Sequence, residues 1–137
     1  MNISRRDLTF LLPALAAAGA AAQTPALPSK VFSYADLPVR TNSANKQRAV
    51  FDGPTHTGFI VEMHETELPP GQMPHAAHHH VHEELFILRE GTVEVTIKDK
   101  TTRIEAGSVA YVASNEEHGW RNVGTTPARY YVIALGG

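Results

Sequence analysis

From Lys30 onward, apolar residues recur at alternate positions in short runs, and Gly, Pro, Asn and Asp separate the runs. A period of two sends successive side chains to opposite faces of a strand, so this stretch predicts an all-β domain. The clearest run covers residues 58–67, where Phe59, Val61 and Met63 alternate with Glu62 and His64 ahead of Pro69-Pro70-Gly71. The alternation predicts that Phe59, Val61 and Met63 fill the core and that His64 faces away from it. Further strands are expected over residues 84–89, 92–98, 108–113 and 128–135, with tight turns at Glu90-Gly91 and Asp99-Lys100. Tyr130, Tyr131, Val132 and Ile133 make the last run apolar on both faces, so it should be central or covered. Strands at this spacing fit a sandwich or a closed barrel.

The first 22 residues follow a different pattern. Arg5 and Arg6 precede an apolar stretch that ends in Ala20-Ala21-Ala22, the small-residue pattern of a cleaved export signal. The stretch is shorter than the roughly 20 apolar residues of a membrane span, and Pro13 interrupts it. Ser4-Arg5-Arg6-Asp7-Leu8 also resembles the twin-arginine signal, although Thr9 and Phe10 depart from the residues that usually follow. An ordinary secretory signal with adjacent basic residues gives the same destination. The expected layout is a signal over residues 1–22, a leader with two prolines over 23–29 and one domain over 30–137, placed in the periplasm or outside the cell.

Composition narrows the partners. The chain holds 12 Lys+Arg against 14 Asp+Glu, and losing the signal's two Arg and one Asp leaves a net charge of −3. That balance argues against nucleic acid. With no cysteine, the domain depends on core packing, aided by any bound metal, and lipidation on cysteine is excluded.

Five of the eight histidines fall between His75 and His82. On a strand, His78 and His80 leave one face and can converge on one ion, with Glu84 following after a short reversal. Imidazole with carboxylate suits Mn, Fe, Co, Ni or Zn. His82 shares that parity, so periodicity alone would let it replace His78. His79 points the opposite way, and His75 sits in a loop that would rim a pocket; both read as solvated side chains. His56 carries no signal.

The order Gly71, His78-x-His80-x3-Glu84-x6-Gly91 resembles the first signature of the cupin superfamily, and Gly107-x10-His118-x3-Asn122 resembles the second. The loop from Gln72 to Ala77 is longer than that pattern usually has. Ala113 and Asn115 stand where it usually has proline and glycine. The resemblance implies a double-stranded β-helix, or jelly-roll barrel, with His78, His80, Glu84 and His118 around one divalent ion. It favours His78 over His82 as the ligand.

Trp120 and Asn122 share the parity of His118, and Tyr111 is placed to face the same cavity, so these three are the candidate substrate-pocket residues. The plainer reading has Trp120 and Tyr111 filling the core. Arg121 and Glu62 fall on the opposite parity and receive no catalytic role.

Two functions follow. One is a metal-dependent enzyme on a small organic molecule, an oxygenase on a phenol or diketone or an isomerase or lyase on a sugar acid. The other is an exported, non-catalytic module that binds a small ligand or sugar and uses the metal structurally. An enzyme needs an exchangeable position on the ion and an open path, whereas a structural site is closed. Export in the folded state would let a weaker-binding ion such as Mn or Fe be trapped before copper or zinc competes. Apolar Leu85 and Ile87 suggest a homodimer packed sheet against sheet, unless residues 31–39 cover that face.

Overall fold

The computed structural model describes residues 23–136; the expected signal, at residues 1–22, lies outside them. Among the described residues the regular structure is all β apart from one 3-10 turn, Tyr34–Asp36. The nine strands are β1 (Val39–Thr41), β2 (Lys46–Pro54), β3 (Ile60–Leu68), β4 (Glu83–Glu90), β5 (Thr92–Ile97), β6 (Lys100–Glu105), β7 (Val109–Val112), β8 (His118–Asn122) and β9 (Ala128–Leu135). They form a six-stranded sheet in the order β1-β2-β3-β9-β4-β7 and a three-stranded sheet in the order β6-β5-β8, all antiparallel.

The turn expected at Glu90-Gly91 is present, and the one expected at Asp99-Lys100 falls one residue earlier, at Lys98-Asp99, because Lys100 already pairs with Ile97 as the first residue of β6. Gly91 links β4 to β5 at a φ of 91°, and a Cβ there would lie 2.9 Å from Ala128 Cα, so both conformation and space call for glycine. Lys98 takes a φ of 54° between β5 and β6.

The core lies between the sheets. Leu68 from β3, Phe86 and Leu88 from β4, Ala128, Tyr130 and Val132 from β9 meet Val93, Val95 and Trp120 from the smaller sheet. Tyr130 is buried, and burial raises its hydroxyl pKa well above the ordinary value, so it stays neutral and accepts the Trp120 Nε1–H at 3.1 Å. The last strand is central, as its two apolar faces required.

One parity expectation is reversed. On β3 it is Leu68 and Thr66 that are buried between the sheets, so His64 and Glu62, two and four positions further back, share the inner face. Phe59 precedes the strand and is 71% exposed, while Val61 and Met63 face outward. The outer face misled the pattern because it too is covered in part. Phe32 packs on Phe51, and Tyr34 lies beside Arg48 and Arg89 over a fully buried Glu65. Glu65 is matched by Arg48 at 3.4 Å and Arg89 at 2.8 Å, which offsets the cost of its burial. The 31–39 segment therefore covers the β2 and β3 side of this face. Leu85 and Ile87 lie further along it, paired with Tyr111 and Val109, which are 51% and 60% exposed.

Candidate metal centre

The loop before β4 is held as an extra edge against β8. His78 and His118 exchange main-chain hydrogen bonds of 3.0 and 2.9 Å, and Gly71 and Gln72 bond to Asn122 at 2.8 and 3.0 Å. Gly119 makes the approach feasible, since a Cβ there would meet Ala77 Cβ at 3.2 Å. On the exposed side, Arg121 donates to Gly71 O at 2.9 Å and meets Met73 Sδ at 3.3 Å, which anchors the loop away from the site.

This scaffold brings five of the singled-out side chains together. One ligand atom each from His78, His80 and His118 lie within 4.8 Å of one another, as do atoms of His80, His82 and Glu84. Glu84 joins the two groups, with His80 Nε2 at 3.2 Å and His118 Nε2 at 3.3 Å from its carboxylate oxygens. His82 Nε2 reaches the same carboxylate at 3.4 Å and its ring stacks on His80 at 3.6 Å, so the sequence ambiguity between His78 and His82 has a spatial counterpart. His75 meets His78 edge-on, with ring centroids 4.2 Å apart, and His79 is exposed.

The tautomers follow from the backbone. Carbonyl oxygens only accept, so Nδ1 carries the proton where His78 meets Ala76 O at 3.2 Å, His80 meets His82 O at 2.8 Å and His118 meets Glu116 O at 2.8 Å. Nε2 of each ring is left with its lone pair. For His80 and His118 that atom is buried and has no aligned hydrogen bond, despite the nearby carboxylate. An unpartnered buried nitrogen costs about 1–3 kcal/mol, and two beside a buried carboxylate with no Lys or Arg in contact among the described residues is an arrangement a cation would relieve. Ligand atoms about 2.1 Å from one ion stand roughly 3.0 to 3.4 Å apart, which the two distances from the Glu84 carboxylate match, while the three imidazoles lie within 4.8 Å of one another. The donor set therefore fits a divalent transition metal. Burial lowers the pKa of His78, opposed by its bond to Ala76 O and reinforced by His75, His118 and His80, which keeps its imidazole neutral for ligation.

A cavity of about 360 Å³ opens beside the cluster, lined by Asp52, Ile60, Glu62, His64, His78, His80, His82, Glu84 and Ala134. The strand register explains it. Asp52, Glu62, Ala134 and Glu84 form one cross-strand row over β2, β3, β9 and β4, and the small Ala134 leaves the space between the two glutamates.

The three expected pocket residues lie elsewhere. Tyr111 shares the outer face with Leu85 and donates to Glu83 at 2.8 Å, because the inward position on its strand belongs to Val112, opposite Glu84. Trp120 is core, 4% exposed against Phe86 and Tyr130, so of the two sequence readings the plainer one describes it. Asn122 is fully buried, and its amide donates to Leu68 O and Thr126 O at 2.8 and 2.9 Å while Oδ1 accepts from Gly124 N at 2.9 Å. That leaves Asn122 no free donor for a ligand, so its work is to fasten the chain after β8 to the end of β3. The cavity residues that sequence reasoning missed are Asp52, Glu62 and His64. The available signal was that His64 shares the parity of Leu68, the apolar residue just before the prolines.

The sequence profile described as "Cupin domain" matches residues 64–134, from the cavity histidine of β3 to the alanine of β9. The chain belongs to the cupin family. No curated protein matches this cupin in sequence. Its fold is shared with an RmlC-like cupin from Shewanella frigidimarina, 18% identical over 80% of this chain and 93% of that one, with a TM-score of 0.65. It is likewise similar to the polyketide cyclase RemF from Streptomyces resistomycificus, 19% identical over 79% and 80% of the two chains with a TM-score of 0.66. A predicted oxalate decarboxylase from Thermotoga maritima is 18% identical over 79% of this cupin and 100% of its own chain, at a TM-score of 0.65. At these identities the likeness is one of fold, and the differing activities in those names illustrate how many chemistries it carries.

Proposed function

We propose that this cupin holds one divalent transition-metal ion through His78, His80, Glu84 and His118, and that it is an exported metal-dependent enzyme acting on a small organic molecule. The observation that carries this reading is the pair of buried, unpartnered Nε2 atoms of His80 and His118 beside the Glu84 carboxylate, at the wall of an open cavity. The open cavity favours catalysis over a closed structural role. Export rests on the basic pair and apolar stretch of residues 1–22.

Bound there, the ion would act as a Lewis acid on a coordinated oxygen and lower its pKa. The chain's own residues supply the rest. Carbonyls of Ala76, His82 and Glu116 fix the imidazoles in the ligating tautomer, and the core behind the cluster, from Phe86 to Trp120, excludes water from that side. Oxygenase chemistry on a phenol or diketone and isomerase or lyase chemistry on a sugar acid are the reaction classes in view.

The test is elemental analysis of the purified protein beside a variant carrying His80→Ala and His118→Ala. About one transition metal per chain in the wild type and none in the variant is expected. Equal trace metal in both would remove the metal reading.

A further inference from the structure

Glu62 and His64 form a pair that the metal reading does not use. His64 Nδ1 meets both Glu62 oxygens, at 2.9 and 3.0 Å, so Nδ1–H donates to the carboxylate and Nε2 is left as the ring nitrogen available to a ligand. Both side chains line the cavity from β3, while Glu84, His78, His80 and His82 line it beyond Ala134. Glu62 and Glu84 are two strands apart in one row, about 10 Å of backbone separation, enough for one small molecule between them.

The lining carries the carboxylates Asp52, Glu62 and Glu84, and no Lys or Arg is among its residues. A divalent ion beside three carboxylates leaves this lining net negative; Arg40 lines the adjoining cavity that shares Asp52, Glu62 and His64, so between Glu62 and Glu84 a dicarboxylate would meet no cation besides the ion. A neutral molecule bearing an acidic hydroxyl is suited to both walls.

The geometry points to His64, oriented by Glu62, as the proton acceptor for a neutral, hydroxyl-bearing ligand such as a catechol or enol. This rests on the metal reading above and names the ligand class of the same site. When the ligand binds, its O–H bond breaks, the electron pair stays on oxygen, and the proton moves to His64 Nε2. The imidazolium so formed is balanced by Glu62, and the cavity's net charge is unchanged. His64 is the catalytic residue here and Glu62 its positioning residue.

The experiment uses zinc-loaded full-length protein and 4-nitrocatechol, held at a pH below the first ionisation of the free probe so that it enters neutral and its visible absorption reports deprotonation on binding. The wild type is expected to bind the probe in its deprotonated form, with oxalate at equal concentration failing to displace it. His64→Gln should weaken binding at least about tenfold and reduce the spectral shift, with Glu62→Gln intermediate, while both variants keep their zinc by elemental analysis and fold by circular dichroism. Two conservative variants guard against misfolding of either. Full zinc with unchanged probe binding and spectrum in His64→Gln, or displacement by oxalate at comparable affinity, overturns this inference alone. A wild type without stoichiometric zinc overturns the metal reading and this inference with it.

Discussion

His78 and His118 form a two-residue bridge, each donating its amide to the other's carbonyl at 3.0 and 2.9 Å. Their rings stand 4.9 Å apart, so the main chain itself brings together ligand candidates from the first and second halves of the domain. Closing the barrel and assembling the site are thus one event, and binding at the site is linked to the stability of the fold.

That linkage predicts a metal-dependent melting temperature. Metal at about 100 times its dissociation constant adds about 2.7 kcal/mol to a folded state that alone can bind it. Stripping the wild type with a chelator should lower its melting temperature, and chelator should leave the His80→Ala, His118→Ala variant unmoved. Calorimetry with and without chelator checks both, and an equal drop in the two proteins would contradict the prediction.

Acid should act through His78. Burial sets its folded pKa below the ordinary value of 6.5, so below pH 6.5 the unfolded chain takes up this proton more readily than the folded one. The metal-free protein should lose this contribution as pH falls from 6.5 towards the folded value, and none of it is lost above 6.5. A His78→Gln variant should show a shallower acid slope of melting temperature in chelator. Parallel slopes would refute the assignment.

Asn122 separates a structural from a ligand-binding role. Asn122→Ala would strand the carbonyls of Leu68 and Thr126 and the amide of Gly124, a cost of about 3 kcal/mol. Urea denaturation should register that loss while metal content per folded chain stays at the wild-type level. Loss of ligand binding without loss of stability would restore Asn122 to the pocket.

The sequence was most legible where one physical demand dominates. Ala128–Leu135 matched its expected bounds because apolar residues on both faces specify a covered strand. The histidines and Glu84 came together because ligand spacing is local in part and motif-bound in part. Parity failed on β3, where the 31–39 segment gives the outer face its own apolar cover and Val61 and Met63 mimic a core stripe. It failed again at Tyr111, whose small neighbours Ala110 and Ala113 gave no reason to choose Val112 as the inward residue. The β6 and β8 strands are polar on their exposed positions and carry too few apolar residues for alternation to mark their bounds.

Asn115 offers the sharpest test of how a turn supports the site. It stands where the cupin pattern usually has glycine, and its φ of 61° lies in the left-handed region that glycine enters freely and asparagine tolerates. Its amide donates to His80 O at 2.8 Å, so the turn holds the backbone of a ligand candidate. Asn115→Gly should keep the conformation and leave both melting temperature and metal affinity within experimental scatter. Asn115→Val forces a β-branched side chain into that region at a cost of about 1–3 kcal/mol. The strain should reach His80 and weaken metal binding as well as stability. Competition for zinc against a chromophoric chelator measures the affinity, and thermal melts in chelator measure the fold. Equal zinc affinity in the two variants would show that the turn does not steer His80.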